Sequence, residues 1–263
     1  SPLVQNDLVP VFLDVDRRTY QMDVEGIREV ITPDTGAILV PSLAGNVPRL
    51  RELNEIAEEH DLYLVEDSAD TIGATIDGTP TGEYSHVSTT SFYGSHVITA
   101  FGGGGMVCVD DETLMQKCKK LRAWGRRSAV DETEDIDERL DAQLGDVTYD
   151  HKFIFDEVGY NFLPLEAHAA FGLEQVDRLQ DFAAKRERNF QELTEFFRRY
   201  DRLFDVPVQR EEVSTCWLAY PVAITPEAPF DRPELGKNLE ASNVQTGSLW
   251  TGNGKKQAAF DDI

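Results

Sequence analysis

The chain has 263 residues, 41% of them hydrophobic, enough for one large domain or for one domain and part of a second. Lysine and arginine total 25 against 48 aspartates and glutamates, a formal net charge of −23, and so acidic a surface repels phosphate backbones and argues against nucleic acid as a partner. Three cysteines without a Cys-x-x-Cys pair argue against a disulfide framework and against a metal site; no apolar run reaches membrane-spanning length, and the start carries no signal-peptide pattern.

These features point to a cytoplasmic protein that does not bind membranes. The acidity is spread along the chain, with a dense stretch from Asp131 to Asp141, and it suits a salt-adapted protein whose stability rises with salt. The first residues run straight into strand-like sequence and the last are polar. Both ends read as internal, so a fragment lacking its start and end is expected.

In chain order, Val9–Val15 reads as a buried strand and Asp23–Val30 as a short helix. Thr35-Gly36 turns the chain into a second buried strand, Ala37–Val40. Val47–His60 carries a helical stripe of Leu50, Leu53, Ile56 and Ala57, and Leu62–Val65 is a third strand ending at Glu66-Asp67. Strands alternating with helices at this spacing predict an α/β fold with a mainly parallel sheet, whose ligands gather at the carboxyl ends of the strands. Asp67 stands at such an end.

His86–Tyr93 is the next β run. The loop after it holds Ser91 and His96, then come Gly102–Gly105, and Met106–Val109 follows as another strand. Four glycines let the main chain take positive φ and leave room for a bulky group, so a hydroxyl and an imidazole sit beside a candidate cofactor site. The same residues also suit a glycine-rich hairpin with a surface histidine. A helix follows Asp110 and stops at Gly125, with an acidic first turn and a basic last turn. Arg126–Tyr149, polar, acidic and poorly periodic, is expected to be a loop with room for a short helix; Gly159–Phe162 is expected to be a turn. Pro164 to about Tyr200 is helical with a break near Leu179–Asp181. A smaller mixed unit closes the chain: strand Cys216–Ile224, helix Arg232–Ser242 and strand Val244–Trp250. Cys108 reads as core, His86 and His168 as structural, and His151-Lys152 as an exposed pair or a diphosphate contact.

Three pieces, EDSADTIGA (Glu66–Ala74), TTSFYGSHVITAFGGGG (Thr89–Gly105) and GYNFLPLEAHAAFGLEQ (Gly159–Gln175), together resemble the DegT/DnrJ/EryC1/StrS sugar aminotransferases. The resemblance implies the type I, aspartate-aminotransferase-like fold with pyridoxal 5′-phosphate as cofactor. It divides the chain into 1–175, part of the large cofactor-binding domain, and 176–263, a linking helix and part of the small α+β domain. The family carries its Schiff-base lysine five residues after the motif serine, and this chain has His96 there. Imidazole forms no stable imine, so the cofactor is expected to bind without a covalent link. This resembles the 3-dehydratase branch, which uses pyridoxamine 5′-phosphate to remove the C3 hydroxyl of a nucleotide-linked 4-keto-6-deoxyhexose.

The resemblance then assigns roles. His96 is the acid/base, because imidazole exchanges protons near neutral pH. Asp67 faces the pyridinium nitrogen and keeps it protonated; otherwise it is an acid closing a strand. Asp70 falls near the ring oxygen, Ser91 donates to the phosphate or caps a turn, and Asn161 reaches a neighbouring subunit's phosphate or holds a left-handed turn. Trp124-Gly125-Arg126 packs or lines the substrate entrance. A nucleotide-linked keto sugar, an amino donor such as glutamate and a homodimer are implied as partners. Arg126–Asp146 contains no cysteine, so the iron–sulfur cluster of the CDP-sugar enzymes is not expected. Gly103 and Gly247 replace a common glutamate and arginine. An ordinary sugar aminotransferase and a non-catalytic nucleotide-sugar-binding relative are the rival readings.

Overall fold

The computed structural model describes residues 2–250, 252–253 and 256–258. Its centre is a sheet of β1 (Ala37–Pro41), β2 (Tyr63–Asp67), β3 (Val87–Ser91) and β4 (Gly105–Val109), in that spatial order. β1, β2 and β3 run parallel, and β4 returns antiparallel along β3. The register pairs Val40 with Glu66, Asp67 with Thr89 and Ser91 with Gly105, so three strand ends carrying Pro41, Asp67 and Ser91 open towards the same edge.

Side chains on a strand alternate between faces, and here Ile38, Val40, Leu64 and Glu66 point to the buried one. Helix α1 (Leu50–His60) lies over that face with Leu50, Leu53, Ile56 and Ala57 buried, the stripe expected from spacings of three and four. Leu50, Leu53 and Leu64 are 0% exposed, and burying each is worth about 1.5–3 kcal/mol. The helix ends on Asp61 in the left-handed conformation (φ 54°), whose N–H closes on the Ala57 and Glu58 carbonyls.

After the sheet come α2 (Glu112–Arg122), α3 (Glu166–Val176), α4 (Leu179–Arg198) and α5 (Arg232–Ala241). Asp111 caps α2 by accepting from the Leu114 N–H at 2.7 Å, and Lys119, Lys120 and Arg122 occupy its last turn. The break between α3 and α4 falls at Asp177-Arg178, just ahead of the expected position. The acidic segment after Arg126 holds a short helix, Ile136–Leu140, and a hairpin, Ala142–Leu144 with Val147–Tyr149.

Several expectations are corrected. Val9–Val15 is not a buried strand: only Val15 makes a bridge, to Met22, and Val9 is 86% exposed. An apolar run becomes a strand only where a neighbouring segment completes its ladder, and none does so among the described residues. Cys216–Ile224 is a strand only at Ala223–Ile224, paired with Phe204–Asp205. Cys216 and Trp217 are instead buried by side-chain packing: Trp217 stacks on Phe190 at 4.5 Å, and the Leu218 N–H binds the Ala44 carbonyl. Val244–Trp250 forms no strand, because the Glu240 carboxylate accepts both the N–H and the hydroxyl of Thr246. Cys108 lies exposed on the edge strand β4, and His151 is 8% exposed, so neither is where the sequence suggested. His86 is structural, its Nδ1 accepting from the Leu64 N–H at 3.0 Å.

Gly159–Phe162 is extended, not a turn. It runs along the end of α2, with Trp124 N–H to Tyr160 O and Tyr160 N–H to Leu121 O, both 2.7 Å. Gly125 and Gly159 make this approach possible: a Cβ on Gly159 would lie 2.2 Å from the Gly125 nitrogen. Trp124 takes φ 61°, one residue past the α2 cap, where glycine is usual; a left-handed tryptophan costs about 1–2 kcal/mol.

Candidate functional site

β2 delivers two acids to opposite faces. Glu66, 0% exposed, accepts a hydrogen bond from Ser42 Oγ at 2.9 Å, and its other carboxylate oxygen has no partner. Burial pushes its carboxyl up, and the hydroxyls of Ser42 and Thr81 offset only part of that. Asp67, the last residue of the strand, is exposed, with Oδ1 accepting from the Ala69 N–H at 3.1 Å. The turn after it carries Asp70 inward to 4% exposure. There Oδ2 accepts from the Ala44 N–H at 2.9 Å while Oδ1 is buried without a partner. Desolvation raises the Asp70 carboxyl, and the Ala44 N–H and the charge of His96 oppose it. Asp67 and Asp70 share a cavity of about 220 Å³ with Ser42, Leu43 and Trp250.

Ser91 ends β3, two residues beyond the Thr89 that pairs with Asp67. Its Oγ accepts from the Tyr93 N–H at 3.2 Å, which leaves the O–H free to donate outward. The chain then doubles back: the Ala100 N–H and the Thr99 hydroxyl both bind the Phe92 carbonyl at 3.0 Å, and Gly102 and Gly104 turn the backbone at φ 89° and 96°. His96 sits in this tight loop, half-buried. Its ring stands edge-on to Tyr93 at 6.0 Å, and its Nδ1 is buried without a partner.

The structure therefore joins Asp67 and Asp70 in one cavity, sets His96 within electrostatic reach of Asp70, and puts Ser91 on the neighbouring strand end. Asn161 is exposed, and its backbone bridges to Ala123; its φ is not positive, so it holds no left-handed turn. No hydrogen bond among the described residues ties it to the cavity. Sequence reasoning missed Glu66, Ser42 and Trp250. Glu66 was detectable, because it continues the Leu62-Leu64 alternation into a face that strands reserve for apolar residues.

Known proteins resemble this chain in sequence and in fold. The chain is 36% identical over 269 residues to a dTDP-4-dehydro-2,6-dideoxy-D-glucose 3-dehydratase of Saccharopolyspora spinosa, an alignment covering 100% of this chain and 57% of that protein. It is 30% identical over 253 residues to a GDP-4-keto-6-deoxy-D-mannose 3-dehydratase of Yersinia pseudotuberculosis, covering 96% and 62%. The solved E. coli GDP-4-keto-6-deoxy-D-mannose-3-dehydratase with bound hydrated PLP superposes with a TM-score of 0.82 at 29% identity, over 96% of this chain and 63% of that one. The chain thus spans about three-fifths of the length of these relatives. The fold is that of the type I, aspartate-aminotransferase-like enzymes. With the family pattern matched over residues 1–262, the chain belongs to the DegT/DnrJ/EryC1/StrS aminotransferase family.

Proposed function

We propose that this chain carries the cofactor and acid/base residues of a pyridoxal/pyridoxamine-phosphate-dependent 3-dehydratase acting on a nucleotide-linked 4-keto-6-deoxyhexose. The carrying observation is His96, in the loop position where the family's commonest activity needs a lysine, with its Nδ1 buried and unpartnered. The residues fit the cofactor. A carboxylate closes β2, an unpaired Asp70 oxygen faces a shared cavity, and the Ser91 hydroxyl has a proton to donate. When bound, the cofactor supplies an amine for the sugar C4 carbonyl and a ring that withdraws electrons.

The rest is the work of side chains. Asp67 holds the proton on the pyridine nitrogen, and Ser91 donates to the phosphate. Asp70, kept in place by the Ala44 N–H, would be the residue near the ring oxygen. His96 takes up a proton and delivers it to the C3 hydroxyl oxygen as that group leaves; one imidazole serves both steps because it exchanges protons near neutral pH. With no amine on residue 96 the cofactor is held non-covalently, and no iron–sulfur cluster takes part. Glutamate or a similar donor supplies the amine. The protein works as a cytoplasmic homodimer in which Asn161 reaches the other subunit's phosphate, and the large domain passes into the small one after residue 175.

The test is incubation of the full-length protein with pyridoxal phosphate, glutamate and a nucleotide-linked 4-keto-6-deoxyhexose, followed by mass spectrometry. Loss of water at C3 is expected. An amino sugar would replace this reading with a transaminase, and tight binding without turnover would replace it with a non-catalytic relative.

A further inference from the structure

The turn between β1 and α1 is gripped at each of its residues. Ser42 Oγ donates to Glu66 at 2.9 Å, and the Leu43 carbonyl accepts from Gln21 Nε2 at 3.1 Å. The Ala44 N–H goes to Asp70 Oδ2 at 2.9 Å, and the Ala44 carbonyl accepts the Leu218 N–H at 3.0 Å. The Gly45 carbonyl accepts the Thr215 hydroxyl, and Asn46 Nδ2 donates to the carbonyls of Thr19 and Val208. Between these grips Ala44 stands at φ 60° and ψ 10°, a left-handed conformation that glycine adopts freely and alanine only under constraint. In that conformation its N–H meets the buried Asp70 carboxylate.

The wall behind the turn is the segment Thr215–Leu218, and the two backbones touch. A Cβ on Gly45 would lie 2.3 Å from the Leu218 nitrogen and 2.5 Å from the Trp217 Cα. The segment is in turn locked onto α4. Arg186, half-buried, donates through Nη1 to the Trp217 and Leu218 carbonyls at 3.0 and 2.9 Å. Phe190, one helical turn further on, stacks on the Trp217 ring at 4.5 Å. A single peptide unit joins the two layers: the Trp217 carbonyl that accepts from Arg186 belongs to the same peptide as the Leu218 N–H that binds Ala44. A cationic donor on the oxygen of a peptide strengthens the donor at its nitrogen, so the guanidinium tightens the hold on the turn.

Asp70 Oδ1 is buried without a partner, so the backbone bond that fixes this carboxylate in its cavity is the one from Ala44. We infer that Arg186 and Thr215 are positioning residues for Asp70, acting through the Thr215–Leu218 segment and the Ala44 turn. Neither lines the cavity, so their effect reaches it through the turn. Without Arg186 the segment loses two bonds from a charged donor; without the Thr215 hydroxyl the Gly45 carbonyl loses its partner. Either loss frees Ala44 to leave the left-handed conformation and carries its N–H away from Asp70. A desolvated carboxylate that loses a donor binds its proton more tightly. For the reaction this rests on the 3-dehydratase reading, which puts Asp70 at the cofactor ring; the geometry stands without it.

The experiment follows Asp70 by NMR in full-length, cofactor-free protein labelled at aspartate carboxyl carbons and alanine amides, with Asp70→Asn identifying the Asp70 signal. Asp67, His96 and the Trp250 indole also face this carboxyl and are the same in every variant compared. In wild type the Ala44 amide proton is expected to follow the Asp70 titration. Arg186→Met and Thr215→Val uncouple the two signals and make Asp70 bind its proton about tenfold more tightly, the loss of one hydrogen bond to a charged group. Arg186→Lys and Thr215→Ser, which keep a donor, return most of the coupling. Thr225→Val removes a hydroxyl from the Arg202 carbonyl and is the control for a lost bond elsewhere. Melting temperatures show which variants are folded, and Thr215→Val carries the test if Arg186→Met is not. An Asp70 titration that stays within twofold of wild type in the folded variants, or that Thr225→Val moves as far, would overturn the inference. Pyridoxal phosphate binding is read alongside by absorbance. Coupling that depends on Arg186 and Thr215, with a cofactor Kd unchanged in Asp70→Asn, leaves the positioning standing and sinks the place of Asp70 at the ring. A cofactor Kd that depends on Asp70, with a titration indifferent to Arg186 and Thr215, does the reverse.

Discussion

Replacing Gly159 by alanine separates steric fit from backbone conformation, because Gly159 does not have positive φ. The added Cβ would sit 2.2 Å from the Gly125 nitrogen, 2.6 Å from the Trp124 carbonyl carbon and 2.9 Å from the Gly125 Cα. All three are backbone atoms, so no rotamer change relieves the overlap and the two segments must part. Several hydrogen bonds cross that seam, among them Trp124 N–H to Tyr160 O and Tyr160 N–H to Leu121 O at 2.7 Å, and Asp156 N–H to Gly125 O and Phe162 N–H to Arg122 O at 2.9 Å. At about 0.5–1.5 kcal/mol each, losing most of them costs about 2–4 kcal/mol. For a protein of this size that lowers Tm by about 5–15 °C. Thermal melts followed by circular dichroism measure it. Gly36→Ala is the control, because its Cβ would meet nothing within 4 Å, and it should melt within about 2 °C of wild type. If Gly159→Ala melts with that control, the close approach of the two segments does not exist as described.

Other perturbations bear on the site and on its electrostatics. His96→Lys should allow borohydride to fix pyridoxal phosphate covalently, seen as a mass increase on the peptide holding residue 96; no adduct in a folded, cofactor-loaded protein counts against placing residue 96 at the cofactor. Glu66 has a folded-state pKa raised above 4.5 by burial, so ionising it opposes folding, and the penalty grows as pH rises from the ordinary glutamate range to the folded value. Glu66→Gln keeps a partner for Ser42 without the charge, and its stability relative to wild type should rise with pH in urea melts; a pH-independent difference would refute the buried-acid assignment. Asp156 is the opposite case, lowered from 3.8 to about 2 by Arg127 and Lys120, so its contribution is present above the ordinary aspartate range and fades as pH falls towards 2. After solvent screening, Asp156→Asn should cost about 1–2 kcal/mol at pH 7 and less at pH 3, compared by denaturant midpoints. With a net charge of −23, Tm should climb with added salt, and a flat or falling curve removes the salt-adaptation reading.

The sheet and α1 were legible because period decides them. Leu50, Leu53, Ile56 and Ala57 repeat on one helical face, and AILV and LYLV have no polar residue to turn outward. The same logic failed at Val9–Val15 and Val244–Trp250, where hydrophobic or β-branched residues are present but no neighbouring strand supplies the ladder. Propensity is local, whereas pairing is not. Asp67 and Ser91 were readable from their positions at strand ends. Asp70 was readable only as a place in a motif. That it is buried, and held by the Ala44 N–H, depends on a contact 26 residues away in the chain.

Several residues that break local backbone rules cluster around the candidate cavity. Among the described residues nine that are not glycine take positive φ, and four of them are Asp or Asn, which tolerate it. The other five are Tyr20, Ala44, Phe101, Trp124 and Trp250. Ala44 aims its N–H at Asp70, Trp250 lines the cavity with Asp70, and Phe101 closes the loop that carries His96. Trp124 lies under the Arg126 guanidinium. Among the described residues, unpartnered buried side-chain atoms include those of Asp70 and His96 at the cavity, and also those of Tyr20, Gln21, Thr71, His168 and Tyr220 elsewhere. Stability alone favours glycine at the strained positions and a partner for each buried polar atom. Where both departures meet around one cavity, at Ala44, Asp70 and Trp250, substitution is expected to change ligand binding more than it changes folding.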